Sequence, residues 1–155
     1  MNTNKHSRLL SFSPDGRLLA WASGKPVVDL WDFAEDKSIT LTNDSGDNAL
    51  SVAFSPDGQR LATAEQSHTI TVLDVPGRKK LGKLRSHTSE AWVVAFSPDG
   101  QSLASGGFDH SVRLWNASPG PAQEVITNSV ANPATVTVPV GFPINTPVAV
   151  NAWIR

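Results

Sequence analysis

The sequence predicts an all-β chain built as a row of small antiparallel sheets, and three observations carry that prediction. Phe-Ser-Pro-Asp-Gly recurs at Phe12, Phe54 and Phe96, 42 residues apart both times. A fixed period of about 40–45 residues marks repeated units that are each too small to bury their faces alone. Short apolar or alternating runs flank each copy, which is strand patterning with no long helix between. The units also share one register without insertion. A leucine follows each Phe by seven residues (Leu19, Leu61, Leu103), and Trp31-Asp32, Leu73-Asp74 and Trp115-Asn116 stand nineteen and twenty residues after it. A sandwich whose hairpins merely looked alike would not hold that register.

The third unit shows the elements in order. Trp92-Val93-Val94-Ala95-Phe96 is wholly apolar, which predicts a first strand buried on both faces. Ser97-Pro98-Asp99-Gly100 is a tight turn: proline presets φ, and glycine tolerates a left-handed exit that returns the chain antiparallel. Leu103-Ala104-Ser105 is the return strand, and Gly106-Gly107-Phe108-Asp109 reads as a second turn. Ser111 to Trp115 alternates polar and apolar, as a half-buried third strand should. A weaker fourth strand is expected over Gln123 to Thr127. In the first two units the outer strands are expected at Ile39 to Thr42 and Lys80 to Leu84. The repeat region is thus 1–127, divided at about 8–48, 49–90 and 91–127.

Composition narrows the function. Thirteen basic residues stand against fourteen acidic ones in 155, a net charge of −1. No global field recruits nucleic acid or an anionic membrane. The absence of cysteine excludes disulfides and thiolate metal sites, and fits a reducing compartment. The four histidines share no metal-ligand spacing, so neither metal nor cofactor is expected. The start carries no secretory apolar stretch and no run of 18 apolar residues exists, so the expectation is a cytoplasmic protein with no membrane partner. Arg78 to Arg85 holds five basic residues in eight. It falls on an expected outer strand, where lysines discourage edge pairing, and it lacks aromatic residues for stacking bases, so no nucleic-acid partner is expected.

Residues 117–155 contain only two charged side chains, Glu124 and Arg155, and six of the eleven prolines. Thr135 to Val140 and Val148 to Ile154 look like strands. The segment 128–155 is therefore expected as a low-charge, Pro/Val-rich β-like tail. It is either half of a degenerate fourth sheet or a strand on the edge of the third, with disorder as the competing reading.

Across about residues 8–127 the period, the Phe-Ser-Pro-Asp-Gly turns and Trp31-Asp32 make the chain resemble the WD40 repeat family. The family's fold is a β-propeller with one four-stranded blade per repeat. Its Gly-His dipeptide is reduced here to Ser86-His87, and Trp-Asp is intact once. The resemblance implies a partial propeller of three blades. It also implies that His87, Ser105, Asp109 and Trp115 form a hydrogen-bonded chain that satisfies the buried indole and pins a loop to its blade. Unit two keeps Thr63 but has Ser67 and Leu73 at the other positions. Unit one keeps Trp31 but has Trp21 and Lys25. The third blade is accordingly expected to be the most rigid. A Ser-His-Asp hydrolase is the rival reading, but Ser105 lies inside a predicted strand and outside any Gly-x-Ser-x-Gly elbow.

By the same resemblance the function is that of a non-catalytic scaffold, with no enzyme activity, that mediates protein–protein interaction. A protein or peptide partner would meet the loop end carrying Glu90, Trp92, His68, Phe108 and His110. Trp92 is either an anchor for that partner or a filler between adjacent blades. Two rivals remain: an enzyme using His110 with Asp109, and a non-functional remnant of a longer protein. Propellers normally close with four to eight blades, so three units leave faces open. The chain is then a piece of a longer propeller, a self-associating unit that closes a ring, or an open arc. The first is favoured because the chain opens almost directly into a first strand.

Overall fold

A computed structural model of the chain describes residues 9–42, 46–85, 87–117 and 127–130. Every regular element among them is a strand. The strands are β1 (Leu10–Phe12), β2 (Leu18–Lys25), β3 (Val27–Asp32), β4 (Lys37–Thr42), β5 (Ala49–Phe54), β6 (Arg60–Glu65), β7 (Thr69–Asp74), β8 (Lys79–Arg85), β9 (Ala91–Phe96), β10 (Ser102–Gly107), β11 (Val112–Asn116) and β12 (Thr127–Val130). They form three four-stranded antiparallel sheets, β1-β2-β3-β4, β5-β6-β7-β8 and β9-β10-β11-β12, each a meander of neighbours in sequence. No helix of the described residues is long and apolar enough to cross a membrane.

The repeated pentapeptide builds the first hairpin of each sheet in one way. Gly16, Gly58 and Gly100 have φ of 72°, 68° and 69°, the left-handed region where a side chain is strained. Their N–H groups donate to the carbonyls of Ser13, Ser55 and Ser97 at 2.8, 2.9 and 2.9 Å. The serine hydroxyls donate to the carboxylates of Asp15, Asp57 and Asp99. Those carboxylates accept the N–H of Arg17, Gln59 and Gln101 in turn. The serine bonds, foremost, hold all three carboxyls below the usual carboxylate range. Successive turns also lie side by side: a Cβ on Gly58 would sit 3.5 Å from Pro14 Cδ, and one on Gly100 would sit 3.4 Å from Pro56 Cδ.

Sheets mate face to face, and the two faces of a sheet differ. Between the first and second sheets, Ala20, Ala22, Val28 and Leu30 meet Val52, Phe54, Leu61 and Leu73. Between the second and third, Ala62, Ala64 and Ile70 meet Val94, Leu103 and Trp115, with Val72 and Phe96 partly buried against them. A small, β-branched or aliphatic face therefore receives a larger one each time. Arg60 ties the second joint: its guanidinium donates to the carbonyls of Ala117 and Gly100 and lies 5.4 Å from the Phe96 ring centroid, a cation–π distance.

Three sequence expectations need correction. Continuous apolar first strands are not all buried on both faces. β5 is, apart from Ala53, because sheets flank it on both sides. In β9, Val93 is 46% exposed, because its sheet has a neighbour on one side only among the described residues, and Trp92, equally exposed, sits at the register shift beside Phe108. Gly106 and Gly107 belong to strand β10, not to a turn, and the turn is Phe108 to His110. The fourth strand of the third sheet is described at Thr127–Val130, running three residues past the expected end at Thr127, and Gln123 to Ile126 lie outside the described residues. Among the described residues the second sheet alone is covered on both faces, which favours it over the third as the slowest to exchange. The strands expected at Thr135 to Val140 and Val148 to Ile154 lie outside the described residues.

Two measurements check this account. Hydrogen exchange will be slowest in β6 and β7, and slower protection in β10 and β11 would show that polar pinning outweighs double-sided burial. Gly16→Ala and Gly100→Ala will each cost about 1 kcal/mol in urea melts, because each forces a Cβ into a left-handed residue.

Candidate functional site

Two clusters of polar and aromatic side chains lie at the third sheet. In the first, hydrogen bonds run in one direction. The Trp115 indole N–H donates to Ser105 Oγ at 2.9 Å. Ser105 Oγ lies 2.8 Å from His87 Nε2, and His87 Nδ1 lies 3.0 Å from both carboxylate oxygens of Asp109. With the proton on Nδ1, every donor has an acceptor: indole to hydroxyl, hydroxyl to imidazole, imidazole to carboxylate. Asp109 also accepts from the Ser111 hydroxyl at 2.7 Å and from the N–H groups of Thr88 and Ser111 at 2.9 and 3.1 Å. Burial, chiefly, pushes the His87 pKa down, against the opposing pull of Asp109, so the ring is neutral. Burial pushes the Asp109 carboxyl up, but the bonds from Ser111, Thr88 and His87 outweigh it and hold it far below the usual carboxylate range.

This connectivity is also that of a Ser-His-Asp triad. Two features set it apart from a working one. Ser105 is only 2% exposed, and its oxygen already accepts the Trp115 indole proton. A substrate carbonyl would have to displace a buried aromatic ring to reach it. Gly107 explains the placement of the histidine: a Cβ there would lie 2.6 Å from His87 Nδ1 and 3.0 Å from Asp109 Oδ1. The sequence reading, which put Gly107 in a turn, missed that role.

The second sheet carries a different polar centre at the matching place. Glu65, fully buried, accepts from the hydroxyls of Thr63 and Ser67 at 3.2 and 3.5 Å. Ser67 also bonds the Thr69 hydroxyl at 3.3 Å. Counting matches to the histidine pattern shows only loss in this unit. A Thr-x-Glu-x-Ser run, with hydroxyls two residues to either side of one carboxylate, was the available signal.

The other cluster lies at the end of the sheets where β6 and β10 finish. The Phe108 N–H donates to the Glu90 carbonyl at 2.9 Å, as the Gln66 N–H does to Asn48 at 3.0 Å. Glu90 then bridges two units: its carboxylate accepts from Gln66 Nε2 at 3.1 Å and from Trp92 Nε1 at 3.2 Å. The Trp92 and Phe108 rings meet edge to face with centroids 4.5 Å apart, and Phe108 is 51% exposed. Of the five residues singled out as partner contacts, the structure thus brings Glu90, Trp92 and Phe108 together. His68 and His110 are exposed at the ends of the β6–β7 and β10–β11 turns, left-handed at φ 68° and 59°.

Elsewhere, the basic run occupies β8, the outer strand of the second sheet, with Lys79, Lys80 and Arg85 exposed. Among the described residues no three His, Cys, Asp or Glu side chains group to hold a metal ion.

Three repeated four-stranded meanders, stacked face to face and each opened by the same turn, define a propeller-type repeat protein. The family model for the WD domain, G-beta repeat, matches residues 35–74 and 78–116, just over half of the chain, and the chain belongs to that WD40 family. Among solved structures it is similar to that of U3-55K, at 19% identity and a TM-score of 0.73 over 85% of this chain and 41% of that one. It is likewise similar to the crystal structure of the RRP9 WD40 repeats, at 21% identity and a TM-score of 0.69 over 80% of this chain and 39% of that one. The chain spans well under half the length of these structures, and at such identity the likeness concerns the fold. A comparison with curated proteins gives no match.

The pH dependence of stability tests the buried chain. The folded His87 pKa lies below its unfolded value near 6.5, so the unfolded state takes up a proton that the folded state refuses. Stability from this residue is full above pH 6.5 and falls as pH drops below it. Asp109, also lowered, adds a further loss below its unfolded value of 3.8. Urea melts between pH 8 and 5 will show the first decline. His87→Ala will flatten it while costing about 1–3 kcal/mol at pH 8, the penalty for orphaning buried partners.

Proposed function

We propose that the chain is a non-catalytic scaffold that holds a protein or peptide segment at the loop end built by Glu90, Trp92 and Phe108, with His68 and His110 on the adjoining turns. The observation that carries this reading is the exposed edge-to-face pair of Trp92 and Phe108, 4.5 Å apart, fixed in place by the Glu90 carboxylate. Aromatic rings held rigid at a surface lose little entropy on contact and supply much apolar area, the profile of an interface hot spot. Around them stand Gln66 and the two histidine turns, which offer the polar rim that a partner needs. Membership of the WD40 family supports binding as the general task, though fold alone does not name a partner.

The polar geometry at Ser105 invites a hydrolase as the second reading, and its burial argues against that. In this proposal Ser105, His87 and Asp109 hold the β10–β11 turn, and so hold Phe108.

The test is selection of peptides from a random display library on the full chain. Binders will lose about 10- to 100-fold in affinity on Trp92→Ala combined with Phe108→Ala, the range for removing two anchors, with an unchanged melting curve. Binding that ignores both substitutions would place the interface elsewhere.

A further inference from the structure

The outermost faces of the first and third sheets are the two halves of a joint already present twice inside the chain. Residues directly opposite across an antiparallel pair share a face. In the first sheet, Phe12, Leu19 and Trp31 are aligned, with Leu10 beside Trp21. Shifted by the 42-residue repeat, Leu10, Phe12, Leu19 and Trp31 correspond to Val52, Phe54, Leu61 and Leu73, and again to Val94, Phe96, Leu103 and Trp115. Those later sets are the larger faces that pack on the preceding sheet. In the third sheet, Ala95, Ala104 and Leu114 are aligned, as are Val93, Gly106 and Val112. Ala104, Gly106, Val112 and Leu114 correspond to Ala62, Ala64, Ile70 and Val72, and to Ala20, Ala22, Val28 and Leu30, the smaller faces that receive a following sheet.

Among the described residues both outer faces are open. Leu10 is 61% exposed and Phe12 56%, whereas their second-sheet counterparts Val52 and Phe54 are buried at 4% and 8%. Val93 is 46% exposed and Val112 38%, whereas Ile70, which Val112 repeats, is fully buried. Phe33, 53% exposed, stacks on Phe12 with centroids 6.2 Å apart and widens the first patch. Apolar area of this kind is costly in water and marks an interface.

We infer that the occupant of each face is a second copy of this chain: the Leu10-Phe12-Leu19-Trp31 face of one copy docks on the Ala104-Val112-Leu114 face of the other. The joint is head to tail, and two such joints close a ring. Among its described residues each copy brings three sheets, so two copies supply six of them, within the range of about four to eight at which propellers close, while three would supply nine, outside it. The joint needs no new chemistry, because its larger and smaller faces repeat those that already mate at the two internal joints.

Sedimentation velocity and native mass measurement on the full chain will show a species at twice the 16.5 kDa chain mass. Phe12→Glu and Val112→Glu replace exposed side chains, one on each face, and each will weaken association by about 100-fold, the cost of placing a charge in an apolar joint. Thermal melts of the variants under monomeric conditions will show that both still fold. An equimolar mixture of the two variants will recover a dimer, because one of its two joints contains neither substitution. A wild-type chain that stays monomeric at about 100 µM, a dimer indifferent to Val112→Glu, a mixture that fails to re-form, or an open-ended ladder of oligomers would each overturn the inference.

Discussion

The constraint on which the structure rests is that no sheet can bury both of its own faces. A four-stranded meander has two apolar sides and almost no interior, so its stability comes from neighbours. The chain meets this by making the two sides unlike. One carries Phe, Leu and Trp or Leu in register, and the other carries Ala, Ala or Gly, and a branched residue, so that bulk on one sheet meets space on the next. Close packing then fixes the order of the sheets, because a large face against a large face would overfill the joint and a small against a small would leave voids.

Polar groups finish what the apolar faces begin, and they do it at the two ends of each hairpin. At one end, the Ser-Pro-Asp-Gly turn closes on itself through its serine and aspartate, in all three sheets alike. At the other end the units diverge. The third uses a neutral imidazole between a serine and a carboxylate, while the second puts a buried carboxylate between two hydroxyls. Both solve one problem, the burial of polar groups near the edge of an apolar joint, which costs free energy unless each is bonded. The family-matched segments are out of phase with the sheets. Residues 35–74 take β4 of the first sheet with β5, β6 and β7 of the second, and 78–116 take β8 with β9, β10 and β11. Each repeat thereby spans a joint, so the covalent chain itself staples neighbouring sheets.

Much of this was legible in the residues, for definite reasons. The turns were legible because Pro and Gly at fixed offsets leave few backbone choices. The histidine chain was legible by family resemblance, through residues 22, 18 and 10 apart that no local rule would connect. Gly107 was misplaced because two adjacent glycines usually signal a turn, and here one of them simply clears room for an imidazole. The Glu65 centre was missed because a lone acidic residue at a strand end looks like a surface group until a neighbouring sheet covers it. The last strand of the third sheet runs on to Val130, past the expected end at Thr127, because nothing in the low-charge segment marks where pairing stops.

The sequence by itself determined the period, the strand-turn-strand order and the chemistry of each turn, because these depend on neighbours within a few residues or on an exact repeat. Tertiary structure alone decided which apolar strands are covered. β5 and β9 read almost alike in sequence, yet one is sealed between two sheets while the other leaves Trp92 and Val93 open. Burial belongs to what lies across a face, and no residue carries that information in its own side chain.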